Sequence, residues 1–307
     1  MIKKDLSALL SPKTLPDDDW DAMHKIREKR DSLSIPSLTS GQYQNDILDA
    51  CFKSLSVHGG PIVEIGIFQG ALSCQLAYLA EKYNRPLILV DISPEFCEMT
   101  KNHLLQLGGR GGGGVTLITG TVRNLFKQFD FHNKPPCFIV VDADHTYKGA
   151  KTDLCTILSN VPNVPVIGFH DYGVKTDEYL QMQHPEGPQH VYGIYKAILD
   201  VTGGNNALHP IGKIGGKERI YGREFNYIDE EESEGALLFP ALLDRISFIM
   251  AYSHITADTV PESVNMPPLY APPTSLPNEL IYALKHSRWI KLGKKLGFLK
   301  AIDISEL

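Results

Sequence analysis

Cysteine is scarce in this chain and poorly arranged for chemistry. Cys51, Cys74, Cys97, Cys137 and Cys155 are an odd set among 307 residues, with no C-x-x-C pair. That pattern argues against a disulfide scaffold and a thiolate zinc site. The cysteines fall in apolar or periodic segments, where a free thiol behaves as a small hydrophobe, which points to a reducing compartment. Long apolar runs are missing too: none approaches the roughly 20 residues that cross a bilayer. The start of the chain places Asp17, Asp18 and Asp19 soon after Met1 and lacks a signal-peptide apolar core. A cytoplasmic location without a membrane span is expected. Positive charge is also short. The formal net charge is −6, with no basic stripe interleaved with aromatics, so a nucleic-acid groove is not expected.

What is present is an alternation of strands and helices. After a polar segment broken by Pro12, Pro16 and Pro36, with a helix around Trp20 to Arg30, the positions Ile47, Leu48, Cys51 and Leu55 mark an amphipathic helix. Apolar strands then follow at 61–67, 86–92, 115–119, 137–142 and 164–169. The helical patterns between them cover 70–83, 93–107, 122–129 and 147–159, and Ser93 and Pro94 supply a cap and a first turn. A further helix at 191–200 precedes a hairpin of 208–214 with 219–223. This order predicts an α/β fold: a doubly wound, mostly parallel, seven-stranded sheet covered on both faces, with a C-terminal helical extension.

The chain divides into an N-terminal arm (1–41), a catalytic domain (42–224) and a proline-rich, helical extension (225–307). The extension would serve as a dimerisation arm or as a cover for the site, and a homodimer is plausible. The glycine run from Gly108 to Gly114 lies between a helix and a strand and reads as a flexible connection, because a phosphate cradle needs a following helix N-terminus. Residues 172–190 form a long polar loop carrying His184 and His190, of the kind used as lids or binding loops. The acidic run Asp229 to Glu234 reads as a solvated loop.

The chemistry gathers at the carboxyl ends of the strands, where open α/β sheets build their sites. The fourth strand ends in Val141-Asp-Ala-Asp-His145 and the fifth in Phe169-His-Asp171. Asp142, His145, His170 and Asp171 can converge there on a hard divalent cation with a base beside it. Asp144 reads as a solvated residue. At the carboxyl end of the first strand, Val63-Glu-Ile-Gly-Ile-Phe-Gln-Gly70 is a strand-to-helix turn with the spacing E-x-G-x-x-x-G, in which glycine permits a tight turn and close approach of a ligand. The second strand ends at Asp91, where an acid can accept hydrogen bonds from both hydroxyls of a ribose. The third ends in Thr119-Gly-Thr121, small polar residues that suit the rim of an adenine pocket.

Taken together, these elements resemble class I S-adenosylmethionine-dependent methyltransferases. More narrowly they resemble the metal-dependent O-methyltransferases, including macrocin-type sugar O-methyltransferases, over roughly residues 60–222. The resemblance implies a Rossmann-like methyltransferase fold. It also implies that Glu64, Gly66 and Gly70 line the methionine half of S-adenosylmethionine, that Asp91 holds the ribose, and that Thr121 lies near the adenine. Phe68 and Ile92 complete the cofactor set. One departure stands out: Leu72 occupies a position that is often serine, with Ser73 next to it. Asp142, His170 and Asp171 would bind the metal, with magnesium first and Mn²⁺ or Fe²⁺ as alternatives. His170 departs towards nitrogen ligation, and it either binds the ion or orients Asp171. His145 would be the catalytic base. The implied reaction is methyl transfer to one hydroxyl of a vicinal diol, on a small hydroxylated acceptor such as a sugar or glycosylated natural product. Cephalosporin-hydroxylase-like proteins share the fold and motif order and give an oxygenase alternative; a non-catalytic binding protein is the third reading.

Overall fold

The computed structural model describes residues 14–107, 114–131, 134–161, 163–172, 192–203, 208–213, 217–220, 223–226 and 233–240. The glycine run before Gly114, the loop with His184 and His190, and the proline-rich tail lie outside these residues. The described helices are α1 (Asp17–Ser32), α2 (Gly41–Ser54), α3 (Ala71–Lys82), α4 (Pro94–Gln106), α5 (Val122–Gln128), α6 (Tyr147–Asn160) and α7 (Tyr192–Thr202). The strands are β1 (Ile62–Ile65), β2 (Leu87–Asp91), β3 (Val115–Thr119), β4 (Phe138–Val141), β5 (Ile167–His170), β6 (Leu208–Lys213), β7 (Lys217–Ile220), β8 (Arg223–Asn226) and β9 (Ser233–Leu238).

Seven strands form one sheet in the order β3-β2-β1-β4-β5-β9-β6. β1 pairs in parallel with both β2 and β4, and β9 runs antiparallel between β5 and β6. The chain leaves β1 towards β2 on one side and returns to β4 on the other. This reversal opens a crevice at the carboxyl ends of β1 and β4, the expected place for a ligand in such sheets. Burial follows the two-residue period of a strand. Ile62, Leu87, Leu89, Phe138 and Val140 pack towards α2, α3 and α4, while Val63, Ile65, Ile88, Val90, Ile139 and Val141 pack towards α5, α6 and α7. Both faces are apolar because both are covered.

The sheet differs from expectation at its C-terminal end. The anticipated hairpin of 208–214 with 219–223 does not form. β6 pairs with β9, and β7 pairs with β8 in a separate two-stranded sheet. The seventh strand of the main sheet is therefore β9, in a segment read as a solvated run and as part of a helical extension, and the sheet continues past residue 224. The sequence misleads here because strand pairing over a long gap leaves no local trace.

The N-terminal helix docks on the same body. Asp19 is fully buried and accepts hydrogen bonds from Tyr78 Oη at 3.0 Å, Tyr83 Oη at 2.6 Å and Lys82 Nζ. Burial alone would raise the Asp19 carboxyl, but the Lys82, Tyr83 and Tyr78 donors hold it below the usual range. Among the described residues, no helix is long and apolar enough to cross a membrane.

Candidate active site

The turn between β1 and α3 is fixed by conformation and by close approach. Gly66 has φ +84°, and a Cβ there would lie 1.9 Å from the carbonyl oxygen of Asp142. Only glycine lets the end of β4 come this close to the turn. Phe68 is also left-handed, at φ +48°, and its ring meets Phe96 edge-on at 4.9 Å.

Asp91, 7% exposed at the end of β2, organises that turn. Its Oδ2 accepts the backbone N–H groups of Ile67 at 3.0 Å and Phe68 at 3.1 Å, and its Oδ1 accepts that of Ser93 at 2.8 Å. A carboxylate offers about four acceptor positions, so three of them serve the protein's own backbone. The expectation that Asp91 takes two ribose hydroxyls therefore narrows to about one further bond. Ile92 beside it is 75% exposed, an apolar side chain left open at the strand end. Thr121 directs its hydroxyl to Asn124 Oδ1 at 3.1 Å ahead of α5, which leaves only acceptor capacity for a ligand.

Glu64 is the unusual group of this half. It is 3% exposed, on β1, and its Oε2 has no hydrogen-bond partner among the described residues. Burial pushes its carboxyl up to about 8; Ser73 opposes the shift, and Asp142 and Asp91 add to it. A buried carboxyl oxygen without a partner is costly, and the cost is offset if a cationic ligand group reaches it.

The second half brings Asp142, His145, His170 and Asp171 together. Asp142 Oδ1 lies 3.2 Å from His145 Nε2 and 3.1 Å from His170 Nδ1. Asp171 reaches His145 Nδ1 at 3.2 Å through Oδ2 and His170 Nδ1 at 3.4 Å through Oδ1. One ligand atom from each of Asp142, His170 and Asp171 falls within a sphere of mutual distances of 4.8 Å or less, a geometry able to hold a metal ion. Donors on adjacent octahedral positions about 2.1 Å from an ion stand about 3 Å apart, so the His170 spacings fit. Asp171 has φ +55°, a left-handed conformation that aspartate tolerates better than most residues.

The charges explain one another. Desolvation would raise Asp142, but the His170 and His145 imidazoles hold it well below the usual carboxylate range. Desolvation would lower both histidines, yet the carboxylates beside them raise His145 and raise His170 well above the ordinary value. The two rings differ in access. The His145 side chain is 40% exposed and that of His170 is 7% exposed. His145 does not cap α6: Thr146 Oγ1 accepts the Gly149 N–H, and Asp144 accepts the Thr146 N–H at 2.9 Å. Asp144 therefore has a structural task at the helix start.

Three residues of the site were not foreseen. Glu234 on β9, taken from sequence as a solvated acid, is buried, and its Oε1 lies 3.0 Å from His170 Nε2. Ser40, ahead of α2, donates its backbone N–H to Glu234 Oε1 at 2.7 Å and its hydroxyl to Oε2. Tyr43 on α2 is fully buried, meets the His170 ring edge-on at 4.9 Å, and has a hydroxyl without a hydrogen-bond partner among the described residues. Burial, then Asp142 and Glu234, raises that phenol well above its usual value. Gly235 permits this packing, since a Cβ there would lie 2.4 Å from Tyr43 Cε2.

Residues 63–172 match a family model described as a methyltransferase domain. No curated protein matches the chain. Solved structures that resemble it include the O-methyltransferase TomG from Streptomyces achromogenes, at 17% identity over 75% of this chain and 92% of that one, with a TM-score of 0.48. An O-methyltransferase from Bacillus cereus shares 15% identity over 77% of this chain and 95% of that one, with a TM-score of 0.46. A putative caffeoyl-CoA O-methyltransferase from Staphylococcus aureus shares 14% identity over 70% and 90%, with a TM-score of 0.47. These similarities are too weak to carry chemistry across. The family match runs from β1 to just past the end of β5, the stretch that holds the glycine turn, Asp91 and the acid–imidazole cluster, and over that stretch the chain resembles a methyltransferase domain.

Proposed function

We propose that the chain is an S-adenosylmethionine-dependent O-methyltransferase that uses a divalent cation to methylate one hydroxyl of a vicinal diol, on a sugar or glycosylated natural product. The observation that carries this reading is the convergence of Asp142, His170 and Asp171 within 4.8 Å, beside the Gly66 turn and an accessible histidine. The family match to a methyltransferase domain weighs against the hydroxylase and binding-protein alternatives.

The residues fit both groups. The unpartnered, buried Glu64 oxygen suits the ammonium of the cofactor's methionine part, and Asp91 retains room for about one ribose hydroxyl. Asp142 and Asp171 give oxygen donors to a cation, and His170 sits between them. When bound, S-adenosylmethionine supplies an electrophilic methyl group, and the cation lowers the pKa of a hydroxyl that chelates it. His145 takes the proton from that hydroxyl. It is the one imidazole of the cluster open enough to meet an acceptor, at 40% side-chain exposure. Its two nitrogens lie 3.2 Å from the carboxylates of Asp142 and Asp171, the residues that would hold the cation. Asp142 and Asp171 thus hold the base in place.

The test is calorimetric titration of the chain with S-adenosylmethionine and S-adenosylhomocysteine, with Mg²⁺ or Mn²⁺ and after chelation, followed by a screen of sugar acceptors. Expected are micromolar cofactor binding and chelator-sensitive methyl transfer that Asp142→Asn abolishes. No cofactor binding under any metal condition overturns the reading.

A further inference from the structure

We propose that Glu234, on β9, positions His170 so that its Nδ1 becomes a nitrogen donor to the cation, making a mixed nitrogen–oxygen site that favours Mn²⁺ or Fe²⁺ over Mg²⁺. The inference rests on the cation site of the proposed function and adds the residue that decides its character.

His170 Nε2 lies 3.0 Å from Glu234 Oε1, and the same carboxylate already accepts the Ser40 N–H and hydroxyl. A carboxylate in such a network accepts only, so Nε2 carries a hydrogen and donates it; the tautomer is assigned from this network. Nδ1 is then the nitrogen left for the cation, and it faces Asp142 Oδ1 at 3.1 Å and Asp171 Oδ1 at 3.4 Å. Those spacings are close to the about 3 Å between neighbouring donors of an octahedral ion. A carboxylate behind a metal-binding imidazole fixes its orientation and raises its basicity. The ring cannot easily turn away. Tyr43 stands against it at 4.9 Å, and β9 is registered so that Gly235 pairs with His170. Glu234 is thus a positioning residue that acts through His170 and touches no substrate. Hard Mg²⁺ prefers an all-oxygen shell, whereas an imidazole suits Mn²⁺, Fe²⁺ or Zn²⁺ better.

The experiment is Mn²⁺ binding to the full chain, read as free Mn²⁺ by electron paramagnetic resonance, with Mg²⁺ as competitor. Electron spin-echo modulation of the bound ion detects a directly bonded nitrogen. Expected are a ¹⁴N coupling in the wild type, its loss in His170→Asp, and a Mn²⁺ preference over Mg²⁺ that falls about tenfold in that variant. Glu234→Gln keeps the shape and an acceptor for the Ser40 N–H, while its amide nitrogen no longer accepts the Ser40 hydroxyl; it is expected to weaken Mn²⁺ binding by about 10- to 100-fold, with an unchanged circular dichroism spectrum. Bound Mn²⁺ without ¹⁴N coupling, or a coupling that survives His170→Asp, overturns this inference and leaves the methyltransferase reading standing. Glu234→Gln within twofold of wild type removes Glu234 from the role. No Mn²⁺ binding at all overturns the inference together with the cation half of the proposed function.

Discussion

Replacing Glu64 by glutamine should stabilise this protein in alkaline solution while weakening its cofactor site. The carboxyl is pushed from 4.5 to about 8 by burial, a difference worth about 5 kcal/mol at roughly 1.36 kcal/mol per pH unit. Between pH 4.5 and about 8 the unfolded chain has released this proton and the folded chain retains it. Stability therefore falls as pH rises through that window, and the contribution is gone above about 8. Glutamine does not titrate. Its own amide cost is the same at every pH and cancels when the variant is compared with wild type across a pH series. If only half of the calculated energy is realised, the variant gains about 2–3 kcal/mol on wild type between pH 5 and 9, or roughly 5–10 °C in Tm. The assay is thermal unfolding of both proteins at pH 5, 6, 7, 8 and 9, with S-adenosylmethionine affinity measured alongside. A Tm difference constant to within about 1 °C over that series would refute the reasoning, because a buried carboxyl with a raised pKa must leave this slope. Loss of cofactor affinity with the gain in stability is the trade expected where a binding site holds an uncompensated polar atom.

Two further outcomes concern the frame of the site. Gly66→Ala must move the end of β4, because its Cβ would lie 1.9 Å from the Asp142 carbonyl at φ +84°. A loss of about 3 kcal/mol or more, read by urea unfolding, is expected, and a midpoint equal to wild type would show that the turn and β4 are not locked together. Asp19→Ala leaves Lys82, Tyr78 and Tyr83 without their shared acceptor and should cost about 2–3 kcal/mol at pH 7. Since the Asp19 carboxyl is held below its ordinary value of 3.8, that contribution is present above pH 4 and fades as pH falls further. A destabilisation that persists undiminished at pH 2 would contradict the assignment.

The order of elements in the parallel half of the sheet is legible in the chain because each signal is local. Apolar runs of strand length, Ser93-Pro94 at a helix start, and an acid at the end of β2 each depend on a few neighbouring residues. The same holds for Asp142, His145, His170 and Asp171, whose strand-end positions bring them to one edge once the sheet is parallel. The antiparallel end was not legible. β6 and β9 are joined across a break that contains another hairpin, and nothing in the residues 208–223 distinguishes pairing with 219–223 from pairing with Ser233–Leu238.

By itself, then, the sequence determined the sheet type, the glycine turn at Gly66 and the acids and imidazoles of the site, since backbone conformation and hydrophobic period act over short distances. Tertiary structure alone decided that Asp91 spends three hydrogen bonds on its own backbone, that Glu64 carries an unpartnered oxygen, and that Glu234 leaves an acidic run to stand behind His170. These are facts about which polar atoms lose water and which partners replace it. That outcome depends on packing between strands and helices far apart in the chain.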